Sequence, residues 1–155
     1  MKDFFISYNT ADRHWAEWIA GVLEQAGKST VIQAWDFPPG SNFVIEMDKA
    51  LQNAHRLLAV LSPDFLTSRF TAPEWAGFFA ADPTGEQRKL VPVLVRKLDG
   101  PLKGLLGPIV HISLLELNEE AARQALLDGL APGRHAPPNP PPFPGGPDSP
   151  RKMPS

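Results

Sequence analysis

One carboxylate in this chain stands where it could do chemistry. Glu74 follows Phe70 by four residues and comes directly after Pro73, a residue suited to the first turn of a helix. The positive end of a helix favours an ionised carboxylate by roughly 0.3–1 kcal/mol. Phe70, one helical turn earlier, would supply a flat apolar face. Together they could hold a ring and stabilise positive charge developing beside it. A plainer reading fits the same letters. Thr71-x-x-Glu74 has the form of a capping box, in which the glutamate satisfies an orphan N–H, and Phe70 could belong to the core. The remaining polar clusters are Ser7-Tyr8-Asn9 and Asp36-Phe37-Pro38-Pro39-Gly40-Ser41-Asn42. Tyr8 could equally be a packing residue with a solvated hydroxyl, and Asp36 a simple cap. Pro38-Pro39-Gly40 is a turn in any protein.

Much other chemistry is excluded. The four histidines, His14, His55, His111 and His135, are far apart and none forms H-x-x-x-H, so no metal site is expected. Cysteine is absent, which removes disulfide frameworks and Cys-ligated zinc or iron–sulfur sites. No G-x-G-x-x-G or P-loop cradle occurs, and no G-x-S-x-G elbow. A response-regulator receiver needs acidic residues after its first strand, where this chain reads Ser7-Tyr8-Asn9. With 15 Lys and Arg against 17 Asp and Glu, the net charge is −2. That balance argues against nucleic acid or a membrane surface as partner. No apolar window is long enough to span a bilayer. The start, Met1-Lys2-Asp3-Phe4, has no apolar region behind it. A cytoplasmic location is therefore expected.

The elements that must position these residues alternate. Residues 3–7 form a short apolar run suited to a buried parallel strand. Trp15, Trp18, Ile19, Val22, Leu23 and Ala26 then lie on one helical stripe, with Asn9 or Thr10 able to cap it and Gly27 to stop it. A second strand is expected over 30–35 and a loop over 36–42. A helix with the stripe Phe43, Met47, Ala50, Leu51 and Ala54 follows, then a third strand over 56–61. Pro73 opens another helix carrying Trp75, Phe78 and Phe79. A fourth strand is predicted over 90–96, with Pro92 facing an edge or bulge, and a weaker fifth over 109–112. Asn118 caps the last helix, which Gly129 should end. Strands separated by helices imply a parallel sheet covered on both faces, with ligands bound beyond the carboxyl ends of its strands.

Ten of the 18 prolines fall in residues 131–155, with Phe143 as the only aromatic there. That stretch reads as a disordered or polyproline-II tail, a linker to further domains, and residues 1–130 as the folded domain. The domain carries a net charge of −4 and the tail +2. Pro137 and Pro140 have P-x-x-P spacing, so the tail could also be a ligand for an SH3-type groove.

Three stretches together resemble a known family. Residues 4–12 (F-F-I-S-Y-N-T-A-D), 35–43 (W-D-F-P-P-G-S-N-F) and 61–75 (L-S-P-D-F-L-T-S-R-F-T-A-P-E-W) are similar to bacterial Toll/interleukin-1 receptor (TIR) domains, in order and in spacing. The resemblance covers about residues 3–130. It implies a flavodoxin-like three-layer α/β sandwich, with a five-stranded parallel sheet and helices on both faces.

The resemblance also implies function. Many bacterial and plant members cleave NAD⁺ at the nicotinamide–ribose bond in immunity against phage or pathogens; many animal members instead bind other TIR domains as adaptors. By resemblance Glu74 corresponds to the catalytic glutamate. Phe70 takes the position of an aromatic that is usually Trp. Ser7, Tyr8 and Asn9, then Trp35, Asp36, Phe37, Gly40 and Phe43, correspond to the segments around the substrate. NAD⁺ would be the substrate and no cofactor is implied. Cleaving members are activated by self-association, here expected through residues 35–43, with Phe37 as an apolar anchor. Chemically the pairing is coherent. Cleavage passes through an oxocarbenium-like state, nicotinamide leaves readily, and one carboxylate can hydrogen-bond the ribose and favour the growing cation.

Overall fold

The computed structural model describes residues 1–67, 82, 87–102, 109–134 and 136–145. Its first strand, β1 (Lys2–Ser7), shows why a parallel sheet forms. Phe4 and Ile6 are buried on one face and Phe5 on the other, so the strand must be covered twice. The same alternation runs through β3 (Ala54–Leu61), where Leu58 and Val60 face one core and Leu57, Ala59 and Leu61 the other. With β2 (Thr30–Ile32), β4 (Leu90–Leu94) and β5 (Ile112–Ser113), these strands form one sheet in the order β2-β1-β3-β4-β5, every pair parallel.

One face is covered by α1 (Arg13–Gln25) and by a helix that closes the domain, Glu119–Leu130, through Ala16, Ile19, Leu23, Ala122 and Leu126. Two helices, α3 (Phe43–Gln52) and α4 (Pro63–Thr67), cover the other through Met47, Ala50 and Phe65. Between β2 and α3 lies a single helical turn, α2 (Gln33–Asp36); the closing helix is called α5 below. The result is the three-layer, five-stranded α/β sandwich expected from the sequence.

Several local expectations are corrected. The second strand stops at Ile32 and not at residue 35, because the Asp36 carboxylate accepts from the Ile32 N–H at 2.8 Å and Phe37 N–H donates to Gln33 O at 3.2 Å. A short carboxylate side chain bonding its own neighbouring backbone turns the chain out of the sheet. Ala54 does not end the stripe of α3; it begins β3, opposite Lys2. Ala26 lies past the end of α1 and is exposed. Gly27 does stop that helix, with φ of +86°.

The fifth strand lies at Ile112–Ser113, later than 109–112. Pro92 sits in an interior strand, opposite Ala59 of β3. Along β4 the odd-numbered residues direct their N–H toward β3, as Val95 N–H does to Leu61 O. The missing N–H of Pro92 therefore faces the β5 side, where pairing begins only at Val93.

Gly129 does not end its helix. A Cβ there would lie 2.5 Å from Ile112 Cδ1, so this glycine lets the helix close on β5. The helix expected from Pro73 lies outside the described residues. Among the described tail residues beyond α5, none is in a helix or strand, and prolines 137, 138 and 140–142 are all exposed.

Candidate functional site

Three loops leave the carboxyl ends of β1, β3 and β4, and polar side chains tie them together. Asp12 lies in a short 3₁₀ turn (Thr10–Asp12) started by Asn9, whose Oδ1 accepts from Ala11 N–H at 2.9 Å. The Asp12 carboxylate is 1 % exposed. It accepts from Arg96 Nε at 2.7 Å and from the Ser62 hydroxyl. Arg96 Nη2 donates to Asp64 Oδ2 at 2.5 Å. The Ser62 hydroxyl accepts in turn from Phe65 N–H at 3.1 Å, which starts α4. Hydrogen bonds from Asp12 and then Asp64 hold the Arg96 guanidinium above its ordinary pKa. A fork-shaped donor is needed to bridge two carboxylates from different loops.

Around this network stand the residues singled out in the sequence. Ser7 is buried at the end of β1. Tyr8 is half-buried; burial pushes its phenol up, opposed by the backbone of Ala34 in the turn after β2. Asn9 Nδ2 donates to Asp64 O at 3.5 Å, which brings the β1 loop against the start of α4. Asp36 is spent on Ile32, as a cap, and Trp35 Nε1 donates to Glu17 at 2.8 Å on α1.

Phe37 and Phe43 meet edge to face, with centroids 5.9 Å apart, and both pack against the α3 core. Phe37 is thus turned inward. Pro38, Pro39, Val44 and Ile45 carry the exposed apolar surface of this segment. Gly40 has φ of +88° and open space around it, so backbone conformation requires it there. Phe70 and Glu74 lie outside the described residues.

Beside the network, at the carboxyl ends of β3 and β4, lies a hollow of about 410 Å³ lined by Leu61, Leu94, Leu98, Leu102 and Leu115, with Lys97 and His111 also on its wall. Ligands are expected beyond the carboxyl ends of the strands, and there the structure brings Ser7–Asn9 into contact with the segment after β3. Asp12, Ser62, Asp64 and Arg96 do not stand out as a unit in the sequence. Their one visible signal is position: each falls at or shortly past the end of an apolar strand.

These features define a doubly wound, flavodoxin-like α/β domain whose loops gather at the carboxyl pole of the sheet. Its family follows from comparison. A sequence family described as "TIR domain" matches residues 4–127, and the chain belongs to that family. No curated protein matches the chain. Among solved structures, the TIR domain of the Toll-related receptor TRR-2 from Hydra magnipapillata is similar, with a TM-score of 0.66 and 23% identity over 84% of this chain and 95% of that one.

A metazoan TIR-STING receptor from C. gigas aligns with a TM-score of 0.60 and 27% identity over 81% of this chain, which spans only 40% of the receptor. The TIR domains of the activated Roq1 resistosome, at 15% identity and a TM-score of 0.66 over 84% of this chain and 100% of theirs, share the fold. Among the described residues no helix is long and apolar enough to cross a membrane.

Proposed function

We propose that this TIR domain is an NAD⁺ nucleosidase, which breaks the nicotinamide–ribose bond and yields nicotinamide with ADP-ribose or a cyclic form of it. Its role would be that of an effector in bacterial, anti-phage immunity, acting in the cytoplasm and joined by its tail to further domains. The observation that carries the reading is the contact of Asn9 with the backbone of Asp64, braced by Arg96. It draws the β1 loop onto the segment that runs on toward Phe70 and Glu74.

In this reading Glu74 hydrogen-bonds the ribose hydroxyls and stabilises the growing cation, while Phe70 walls the nicotinamide ring from water. Ser7, Tyr8 and Asn9 border the ribose, and the segment from Trp35 to Phe43 closes the far side, with Gly40 at its turn. The exposed Pro38, Pro39, Val44 and Ile45 form the surface through which copies associate, so turnover per molecule rises with concentration.

The test is nicotinamide release from NAD⁺ by the full chain and by Glu74→Gln across a wide dilution series. A catalytic Glu74 lowers the rate by about 10²–10³-fold or more at nearly unchanged melting temperature. A mere capping glutamate costs about 0.5–2 kcal/mol of stability and leaves turnover intact. No release by the folded wild-type chain at any concentration would reduce the domain to an interaction module.

A further inference from the structure

On the face of the sheet away from α3 and α4, the first turns of α1 and α5 leave a groove of about 330 Å³ between them. Trp15 and Trp18 form one side, their rings perpendicular with centroids 6.1 Å apart. Leu117, which is exposed, and Ala122 form the other, with His14 and Glu119 completing the lining. Both tryptophans are half-buried against the core. Neither indole N–H has a hydrogen-bond partner among the described residues, whereas that of Trp35 is held by Glu17.

Among the described residues no buried side-chain nitrogen lacks a partner, so both indole N–H groups reach solvent and can be offered to a ligand. Two aromatic walls, each with a donor still free, make a surface that suits a polyproline-II helix. Such a segment offers apolar rings to fill the walls and backbone carbonyls with no internal partner.

We infer that this groove receives the proline-rich segment of a second copy of the same chain. The segment has the required pattern. Arg134, Pro137 and Pro140 recur every three residues, which is one turn of polyproline II, so all three line one edge. Its charge is complementary: residues 131–145 carry Arg134 and no acidic group against a domain of −4, and the groove presents Glu119, whose side chain is 73 % exposed and 3.5 Å from Arg123 Nη2. As Pro137 and Pro140 enter between the rings, Arg134 would join Arg123 on that carboxylate. Proline's fixed φ lowers the ordering cost of the docked state.

The segment's own groove is not the occupied one. Among the described residues none of the tail lines that groove, and Pro137 and Pro140 are exposed in the structure. Each copy therefore presents one open groove and one open ligand. Such a contact is heterologous and builds rings or open strands.

The test uses the full chain. Its sedimentation mass is followed from micromolar to millimolar concentration, together with the ¹⁵N–¹H signals of its tryptophan indoles. Mass should rise above the 17.0 kDa of one chain, and the Trp15 and Trp18 indole signals should move with concentration. The double substitution Pro137→Ala/Pro140→Ala, in an exposed segment that cannot unfold the domain, should abolish the Trp15 and Trp18 shifts and lower the mass reached, leaving only association through the surface of Pro38, Pro39, Val44 and Ile45. A synthetic peptide of residues 131–145 should move the same two indole signals at low protein concentration and reverse the tail-dependent part of the rise in mass. Indole shifts that are independent of concentration yet lost in the double variant would mean closure onto the chain's own groove and would overturn the second copy as occupant. If the peptide moves neither indole signal, the groove is no polyproline site.

Discussion

Arg96 is the group whose removal tests the account of the carboxyl pole. Replacing it with methionine keeps the aliphatic stem and deletes the guanidinium. Among the described residues, the Asp12 carboxylate, 1 % exposed, is then left with only the Ser62 hydroxyl as a side-chain partner. Removing one partner of a buried pair costs about 3–5 kcal/mol, since the other charge stays desolvated. Arg96 itself is 39 % exposed, so water can partly replace it, and a loss of about 3 kcal/mol is expected. For a chain of this size that lowers the melting temperature by roughly 6–12 °C.

The contrast is Asp64→Asn, on the same guanidinium but 49 % exposed, which should cost less than about 1 kcal/mol. Arg96→Lys should fall between them, because one ammonium cannot fork to both carboxylates. The double variant Asp12→Asn/Arg96→Met should cost less than the sum of its singles, because no buried charge is then stranded. Urea unfolding followed by tryptophan fluorescence gives each value, with unchanged m-values certifying a common unfolded state. If Arg96→Met lost no more than Asp64→Asn, Asp12 would not depend on the guanidinium, and the network would be an accident of surface packing.

Two further predictions concern the fold around the site. Gly129→Ala should destabilise by about 1–3 kcal/mol despite alanine's better helix propensity, because its Cβ would overlap Ile112 Cδ1 and Cγ1; trimming the partner in Ile112→Ala/Gly129→Ala should recover part of that loss in thermal melts. Tyr8, the only tyrosine, should titrate above the usual value near 10 in absorbance at high pH, because burial disfavours its phenolate. With the folded value raised, its contribution to stability is complete below the unfolded pKa and is lost as pH climbs through the folded one. Titration at the free-tyrosine value would place the ring in solvent.

How far the fold could be read from the sequence depended on which forces acted locally. The apolar runs at Phe4–Ile6 and Leu57–Leu61 left no choice but a strand buried on both faces, and both formed. The stripe from Trp15 to Leu23 is equally one-sided, and α1 follows it. The misreadings occur where one side chain's hydrogen bond overrides a pattern. Thr30 to Trp35 looks like a strand until Asp36 reaches back to Ile32 and winds the last residues into a turn. Gly129 looks like a stop signal, and only the approach of Ile112 shows that the absent side chain serves packing. The candidate site divides in the same way. Ser7, Tyr8 and Asn9 could be placed because a strand end is a local feature. Asp12 and Arg96 are 84 residues apart in sequence, and nothing short of the folded sheet brings them together.

That long-range pair also bears on why the pole holds an ion network at all. The sheet does not need it for cohesion. Apolar residues cover both faces of β1, β3 and β4, and well-packed apolar replacements for buried ion pairs are often neutral or stabilising. An apolar cluster, however, attracts without direction. The loop after β1 must stand over the start of α4 at one height, and the turn carrying Ser62 must present its hydroxyl to Asp12 while accepting from Phe65. Bonds with fixed donors and acceptors can specify such an arrangement, and Arg96 supplies two from a single rigid plane. Asp12 lies deep and cannot move, Arg96 leans from it toward solvent, and Asp64 meets it at the rim. The network thus carries the order of the buried sheet outward to loops that have little core of their own. Of these, the chain after β3 runs on in sequence to Phe70 and Glu74. If the domain cleaves NAD⁺ as proposed, holding a ribose against Glu74 would depend on that kind of positional control.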